Sequence, residues 1–204
     1  MSLSPELLLA FALFAMVTSV TPGPNNTMLL ASGVNFGFNR SIPHILGISC
    51  GLFVLVLAVG LGLGAVFEAY PLLYRLLRYL GGAYLLYLAW CIARSGPVAQ
   101  SQESASRPLG YWGAAAFQWV NPKAWVMAVG AISTYVPLQG YVVNVLVIAA
   151  VFALINAPVI SLWAACGSLL RNVLRQPRWL RLFNISMALL LVMSLYPLLL
   201  ESLS

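Results

Sequence analysis

The chain has 204 residues, 62% of them hydrophobic and only 7% charged, with a net charge of +6. Soluble domains carry about a quarter charged residues, so this composition excludes one. The arginines fall between apolar stretches and form no basic face interleaved with aromatics, which speaks for membrane-flanking loops and against a nucleic-acid partner.

The first apolar stretch, about Leu7 to Ala31, is interrupted by Thr21-Pro22-Gly23-Pro24-Asn25-Asn26. Two prolines and a glycine in three positions cannot continue a helix: each proline lacks an N–H, and its ring clashes with the carbonyl four residues back, here Thr18 and Val20. In lipid such a break survives only where protein or a watery cavity covers it. The stretch has no Lys or Arg before it and no small-residue cleavage pattern, so it reads as a retained span rather than a signal peptide.

Six stretches are long enough to cross a hydrocarbon core, which takes about 20 helical residues: 6–30, 44–67, 73–94, 111–136, 142–169 and 179–200. The second carries Gly47-x-x-x-Gly51 and Gly60-x-x-x-Gly64, spacings that let a neighbouring helix approach closely. They are read as packing surfaces. His44, after Pro43, is placed at the interface, with pH sensing as the alternative. Trp112, Tyr141, Trp179 and Tyr196 lie near span ends and suit an aromatic belt. Cys50, Cys91 and Cys166 form no CxxC pair and are expected as small buried hydrophobes, with no metal and no cofactor.

A polar Ser/Gln/Pro-rich segment, 95–109, divides residues 1–94 from 110–204, giving three spans on each side within one membrane domain. The second half also opens on an interrupted span, at Asn121-Pro122-Lys123, with Pro122 standing 100 residues after Pro22. Arg75-x-x-Arg78-Tyr79-Leu80 matches Arg175-x-x-Arg178-Trp179-Leu180 at the same offset. The expected fold is therefore all-α: six transmembrane helices in an inverted three-plus-three repeat, with broken first and fourth helices. Matched breaks of this kind mark transporter binding sites. Arg40, Arg94, Arg107, Arg171, Arg175, Arg178 and Arg181 on one side, against Arg75 and Arg78 on the other, place both termini outside.

Lys123 is the only lysine and the only charge deep in a span, about 18 Å along its helix from residue 111. An intramembrane ammonium costs at least ~2.5 kcal/mol and needs a partner. A functional role is favoured; the alternative is a structural lysine capping carbonyls such as those of Thr18 or Val20. Around it, Pro22 and Pro24 free two carbonyls, Pro122 frees that of Gln118, and the half-helix from Asn25 offers N–H groups and a positive dipole end to a carboxylate. Asn25, Asn26, Gln118 and Asn121 add amides that donate and accept. Asn156, in Asn156-Ala-Pro158 with its expected kink, borders this site or bonds a neighbouring helix. Glu6, Glu68, Glu103 and Glu201 fall at span ends or in loops, and the chain has no Asp. The expected ligand is thus a small neutral molecule bearing a carboxylate, held by Pro22, Gly23, Pro24, Asn25, Asn26, Gln118, Asn121, Pro122, Lys123 and Asn156.

Thr21-Pro-Gly-Pro-Asn25, Gly37-x-x-Arg40, Gly47-x-x-x-Gly51, the stretch Leu80–Trp90 and Gln118-x-x-Asn121-Pro-Lys123, in this order and spacing, resemble the LysE/RhtB family of amino-acid exporters. The first motif and the short middle linker are most similar to its cysteine/O-acetylserine exporters. The resemblance implies a multi-pass protein of the bacterial inner membrane that exports small neutral amino acids of the cysteine/O-acetylserine, homoserine/threonine or leucine type. The proton gradient or membrane potential would drive it, with the proton as expected coupling ion and a homodimer as an option. The resemblance carries functional weight onto Pro22, Gly23, Pro24, Asn25, Asn121, Pro122 and Lys123. Lys123 lacks an acidic partner in the first half, which tells against a carboxylate-to-carboxylate proton relay. The rival classes are a thiol-relay oxidoreductase using Cys50 and Cys166, and an ion or metal-resistance transporter. The missing intramembrane acids oppose the second, and no nucleophile–His–carboxylate set or HExxH supports an enzyme.

Overall fold

The computed structural model describes residues 3–63, 69–95, 108–174 and 176–194. Gly64, residues 96–107 of the polar segment, Arg107, Arg175, Tyr196 and the acids Glu68, Glu103 and Glu201 lie outside the described residues. Every regular element among the described residues is helical: α1 Pro5–Val20, α2 Pro24–Phe36, α3 Phe38–Ala58, α4 Pro71–Arg94, α5 Tyr111–Phe117, α6 Pro122–Tyr135, α7 Tyr141–Val173 and α8 Pro177–Met193. A π turn, Val59–Leu63, prolongs α3, and a 3₁₀ turn, Gln118–Val120, follows α5.

Both expected breaks are present. α1 and α2 meet at 56°, with Pro24 in the first turn of α2, and Pro122 opens α6 after the extended residue Asn121. Proline suits a first turn because its missing N–H has no partner to lose there. Pro43 and Pro158 lie inside α3 and α7, and both helices run on through them. Two described helices are long and apolar enough to cross a membrane, Phe38–Leu63 and Tyr141–Val173, with a third if α1 and α2 form one bent span. The expected third span is α4, which carries Arg75 and Arg94 near its ends; the fourth is divided into short pieces; the sixth is described only to Met193.

Small residues govern how closely the helices pack. α2 lies against α7, where a Cβ on Gly33 would stand 2.9 Å from the Ser168 amide nitrogen and one on Gly167 would stand 3.0 Å from that of Val34. This crossing was not read from the sequence: Gly33 pairs with Gly37 in a GxxxG spacing that was passed over, and Gly167 belongs to no such pair. α3 crosses α5 at Gly47 and Gly51, where Cβ atoms would meet Ala114 Cβ at 2.8 Å and Ala115 Cα at 2.7 Å, and Gly60 faces Val145 and Ile132. α4 packs on α8, and α1 on α7. Phe11 and Phe152 meet edge to face, centroids 5.5 Å apart, in a core shared with Leu52, Val56 and Ala128.

The exterior is apolar. Leu9, Val126, Leu154 and Leu169 are all exposed, Leu154 by 74%, a surface that suits lipid far better than water. The cysteines depart from expectation: Cys50 and Cys166 are exposed and Cys91 is half-buried. A thiol behaves as a small hydrophobe, so a lipid-facing position serves it as well as a core. His44, expected at the interface, is 2% exposed in α3.

Substituting leucine for Gly33 or Gly167 is expected to lower stability by more than the roughly 1–3 kcal/mol of ordinary core overpacking, because the obstacle is backbone. Gly110→Ala, with nothing within 4 Å of its Cβ position, is expected to be neutral. Thermal unfolding in detergent compares them, and an unchanged midpoint for Gly33→Leu would contradict the close crossing.

Candidate functional site

The two breaks face each other. Thr21 ends α1 in an extended conformation, as a residue preceding proline should. Its carbonyl oxygen accepts from Lys123 Nζ at 2.5 Å and from Asn26 Nδ2 at 2.8 Å, which fills both lone pairs. Its hydroxyl accepts from Lys123 Nζ at 2.9 Å and donates to the Thr18 carbonyl at 2.8 Å. Lys123 lies in the first turn of α6, where that helix's own dipole disfavours a cation. Its side chain reaches instead to the C-terminus of α1, where a cation is favoured. The carbonyl that Lys123 caps is therefore that of Thr21, one residue beyond Val20, and not those of Thr18 or Val20.

A second bridge joins the two broken segments. Asn25 Nδ2 donates to Gln118 Oε1 at 2.8 Å, and Gln118 Nε2 donates to Asn25 Oδ1 at 3.2 Å and to the Ala114 carbonyl at 2.9 Å. Asn26 Nδ2 also donates to the Ser19 carbonyl at 2.8 Å. Asn121 caps α6 by accepting from the Lys123 backbone N–H at 3.1 Å. The Gln118 carbonyl, expected to be freed by Pro122, accepts from the Asn121 N–H at 3.4 Å, because the chain tightens into the 3₁₀ turn.

These groups line a small cavity of about 20 Å³, room for about one water. Gly23, Asn25, Asn26, Gln118, Asn121, Lys123 and Asn156 all border it, while Pro22, Pro24 and Pro122 shape the backbone without lining it. Asn156 combines both expected roles, since it also donates to Ser49 Oγ on α3 at 3.1 Å. Thr18 and Ser19 join the lining without having been anticipated. Ser19 Oγ is buried with no hydrogen-bond partner, a free polar group beside the break. Thr21 also escaped notice as the lysine's partner, although its place at the end of the first half-helix was the available signal. Among the described residues that line it, Lys123 alone carries a formal charge and none is a carboxylate. Among the described residues no cluster of His, Cys, Asp or Glu is arranged to hold a metal ion.

The sequence profile of the LysE type translocator family matches residues 16–200. The chain is 36% identical over 193 residues to the cysteine/O-acetylserine efflux proteins of Salmonella typhimurium strain LT2 and Escherichia coli strain K12. In each case the match covers 93% of this chain and 96% of the relative. No solved structure matches.

Asn26→Ala withdraws both donors from the Ser19 and Thr21 carbonyls and is expected to cost roughly 1–3 kcal/mol, read as a lowered unfolding midpoint. Gly23→Ala is expected to keep the midpoint, because its Cβ would meet the flexible Lys123 side chain, Cδ at 2.7 Å. A larger loss for Gly23→Ala than for Asn26→Ala would reverse this assignment.

Proposed function

Because the chain belongs to the LysE type translocator family, and so is a transporter and no enzyme, we propose that it exports small neutral amino acids across the bacterial inner membrane, cysteine and O-acetylserine first among them. One observation carries the choice of substrate class. The cavity between the breaks holds a single formal charge, the Lys123 ammonium, and no acid.

A zwitterion has a carboxylate for that ammonium and an ammonium of its own for backbone oxygens. Lys123 Nζ has three N–H donors, of which Thr21 occupies two. The third is available to a substrate carboxylate, joined by the Asn25 amide and the first-turn N–H groups of α2. As the carboxylate draws Lys123 away, the Thr21 carbonyl becomes free for the α-ammonium. The Val20 carbonyl adds to it, since Pro24 cannot supply a helical N–H. A cationic substrate side chain would find no carboxylate among the lining residues.

The present cavity is too small for an amino acid, so this conformation is the closed one and substrate requires the halves to part. We read them as residues 1–94 and 110–204, joined by 95–109. The packing supports an inverted repeat of six spans: α2 against α7 is matched by α6 against α3, and α1 against α7 by α5 against α3. The pairs α3 with α7 and α4 with α8 join corresponding spans of the two halves. Exchanging the halves reproduces this pattern. Alternating access then amounts to one half rocking on the other about the Lys123–Thr21 and Asn25–Gln118 bridges. Both termini lie outside. The proton gradient drives export, with Lys123 as the proton carrier. A thiol relay gains no support, because Cys50 and Cys166 are exposed and neither lines the cavity.

In proteoliposomes, Lys123→Ala is expected to reduce O-acetylserine efflux to background while the protein keeps its elution profile and unfolding midpoint. Wild-type efflux from that variant would remove Lys123 from the mechanism.

A further inference from the structure

A second cavity, far larger than the first, lies farther along α2. It has a volume of about 350 Å³, within the range of small-molecule sites. Met28, Ala31, Ser32, Asn35 and Phe36 of α2 form one wall, and α4 contributes Tyr84, Tyr87, Leu88, Cys91 and Ile92. Ser32 lies two turns beyond Asn25, about 10 Å at 1.5 Å per residue. The two cavities thus share one helix as a continuous wall.

The lining is polar at chosen points and uncharged. Asn35 Nδ2 donates to Asn184 Oδ1 at 2.8 Å and Asn184 Nδ2 returns a bond to Asn35 Oδ1 at 3.0 Å, so this amide pair is tied down. The Ser32 and Ser41 hydroxyls bond each other at 2.7 Å. His44 differs from them. It borders the cavity, is 2% exposed, and neither ring nitrogen has a hydrogen-bond partner. A buried imidazole with two unmet nitrogens is uncommon, since buried polar groups are almost always paired. A neutral imidazole offers one donor and one acceptor, which suits a ligand that both accepts and donates. Among the described lining residues there is no Asp, Glu, Lys or Arg to select a net charge.

We infer that the cavity walled by α2, α4 and His44 is a second binding site on the export path, which takes a small zwitterionic or neutral polar amino acid before it reaches Lys123. This rests on the export reading above for its ligand. Arg40, Arg94 and Arg171 stand at the same end of the bundle: Arg40 begins α3, Arg94 ends α4, and Arg171 approaches Gly37, its Nη1 3.3 Å from the position of a Gly37 Cβ. Basic residues gather on the cytoplasmic side, so the cavity is the one that a cytoplasmic substrate meets first. The two sites divide the work. The outer cavity admits and loosely holds the amino acid, and the closed cavity between the breaks admits it when the halves part.

Cys91 reports on occupancy because it lines the cavity while Cys50 and Cys166 do not. In full-length protein carrying Cys50→Ser and Cys166→Ser, a small polar methanethiosulfonate should modify Cys91. O-acetylserine at about ten times its half-saturating concentration should slow that reaction about tenfold, by simple occupancy. Protection should persist in Lys123→Ala, disappear in His44→Leu, and return in His44→Gln, which restores one donor and one acceptor. Four results overturn the site: an unreactive Cys91, a rate indifferent to O-acetylserine, protection that survives His44→Leu, or protection lost in Lys123→Ala. Efflux by the same double-serine protein is measured in parallel. Intact efflux without protection refutes this site alone, whereas protection without efflux refutes the export reading and leaves the site standing.

Discussion

The ammonium of Lys123 and the carbonyl of Thr21 are what two interrupted helices leave over, and each answers the other's need. A lone ammonium far from water is costly, as is a helix C-terminus whose carbonyls have lost their N–H partners. Bringing the two within 2.5 Å settles both costs without an acidic residue. That economy has a chemical consequence. A carboxylate partner would hold the lysine far more tightly and would give the cavity a place for a second cation. A neutral carbonyl holds it while leaving a donor free. The contact is exchangeable, and its unmatched charge is positive.

The surrounding packing makes this contact available. Prolines at the first turns of α2 and α6 fix where each half-helix begins, and the glycines of α2, α3 and α7 bring the helices close enough for short amides to bridge them. Gly51 shows the dependence: a Cβ there would stand 2.8 Å from Gln118 Cγ and press on the side chain that bonds Asn25. The same helix α2 then runs on to wall the larger cavity around His44. One small region of backbone thereby sets the position of the charge, the amide bridge and the approach to both.

Much of this was legible in the sequence because breaks in apolar stretches leave few alternatives. Pro22, Pro24 and Pro122 marked the half-helices, and the lone lysine had to find a partner. Seven of the ten residues read as a binding site border one cavity. What escaped was tertiary. Thr21 was read only as the start of the interruption, and only the path of α6 makes it the lysine's partner. Gly33 shares a GxxxG spacing with Gly37, but Gly167 has none, and the crossing they permit joins residues 134 positions apart (167 less 33). His44 sits beside a proline near a span's start, and such a position resembles an interface until α3 is seen to begin at Phe38. The cysteines were misjudged because an apolar segment does not reveal which of its faces meets lipid.

The central claim is that the paired breaks form one acid-free site whose single charge selects the carboxylate of a neutral amino acid. Competitive efflux from proteoliposomes tests it most directly, with cysteine, O-acetylserine, homoserine, threonine, leucine, lysine and arginine presented to the wild-type protein. The neutral amino acids, led by cysteine and O-acetylserine, should be exported in preference to lysine and arginine. Preferred export of lysine or arginine would contradict the account, because the site between Thr21 and Lys123 has no carboxylate to receive a second positive charge.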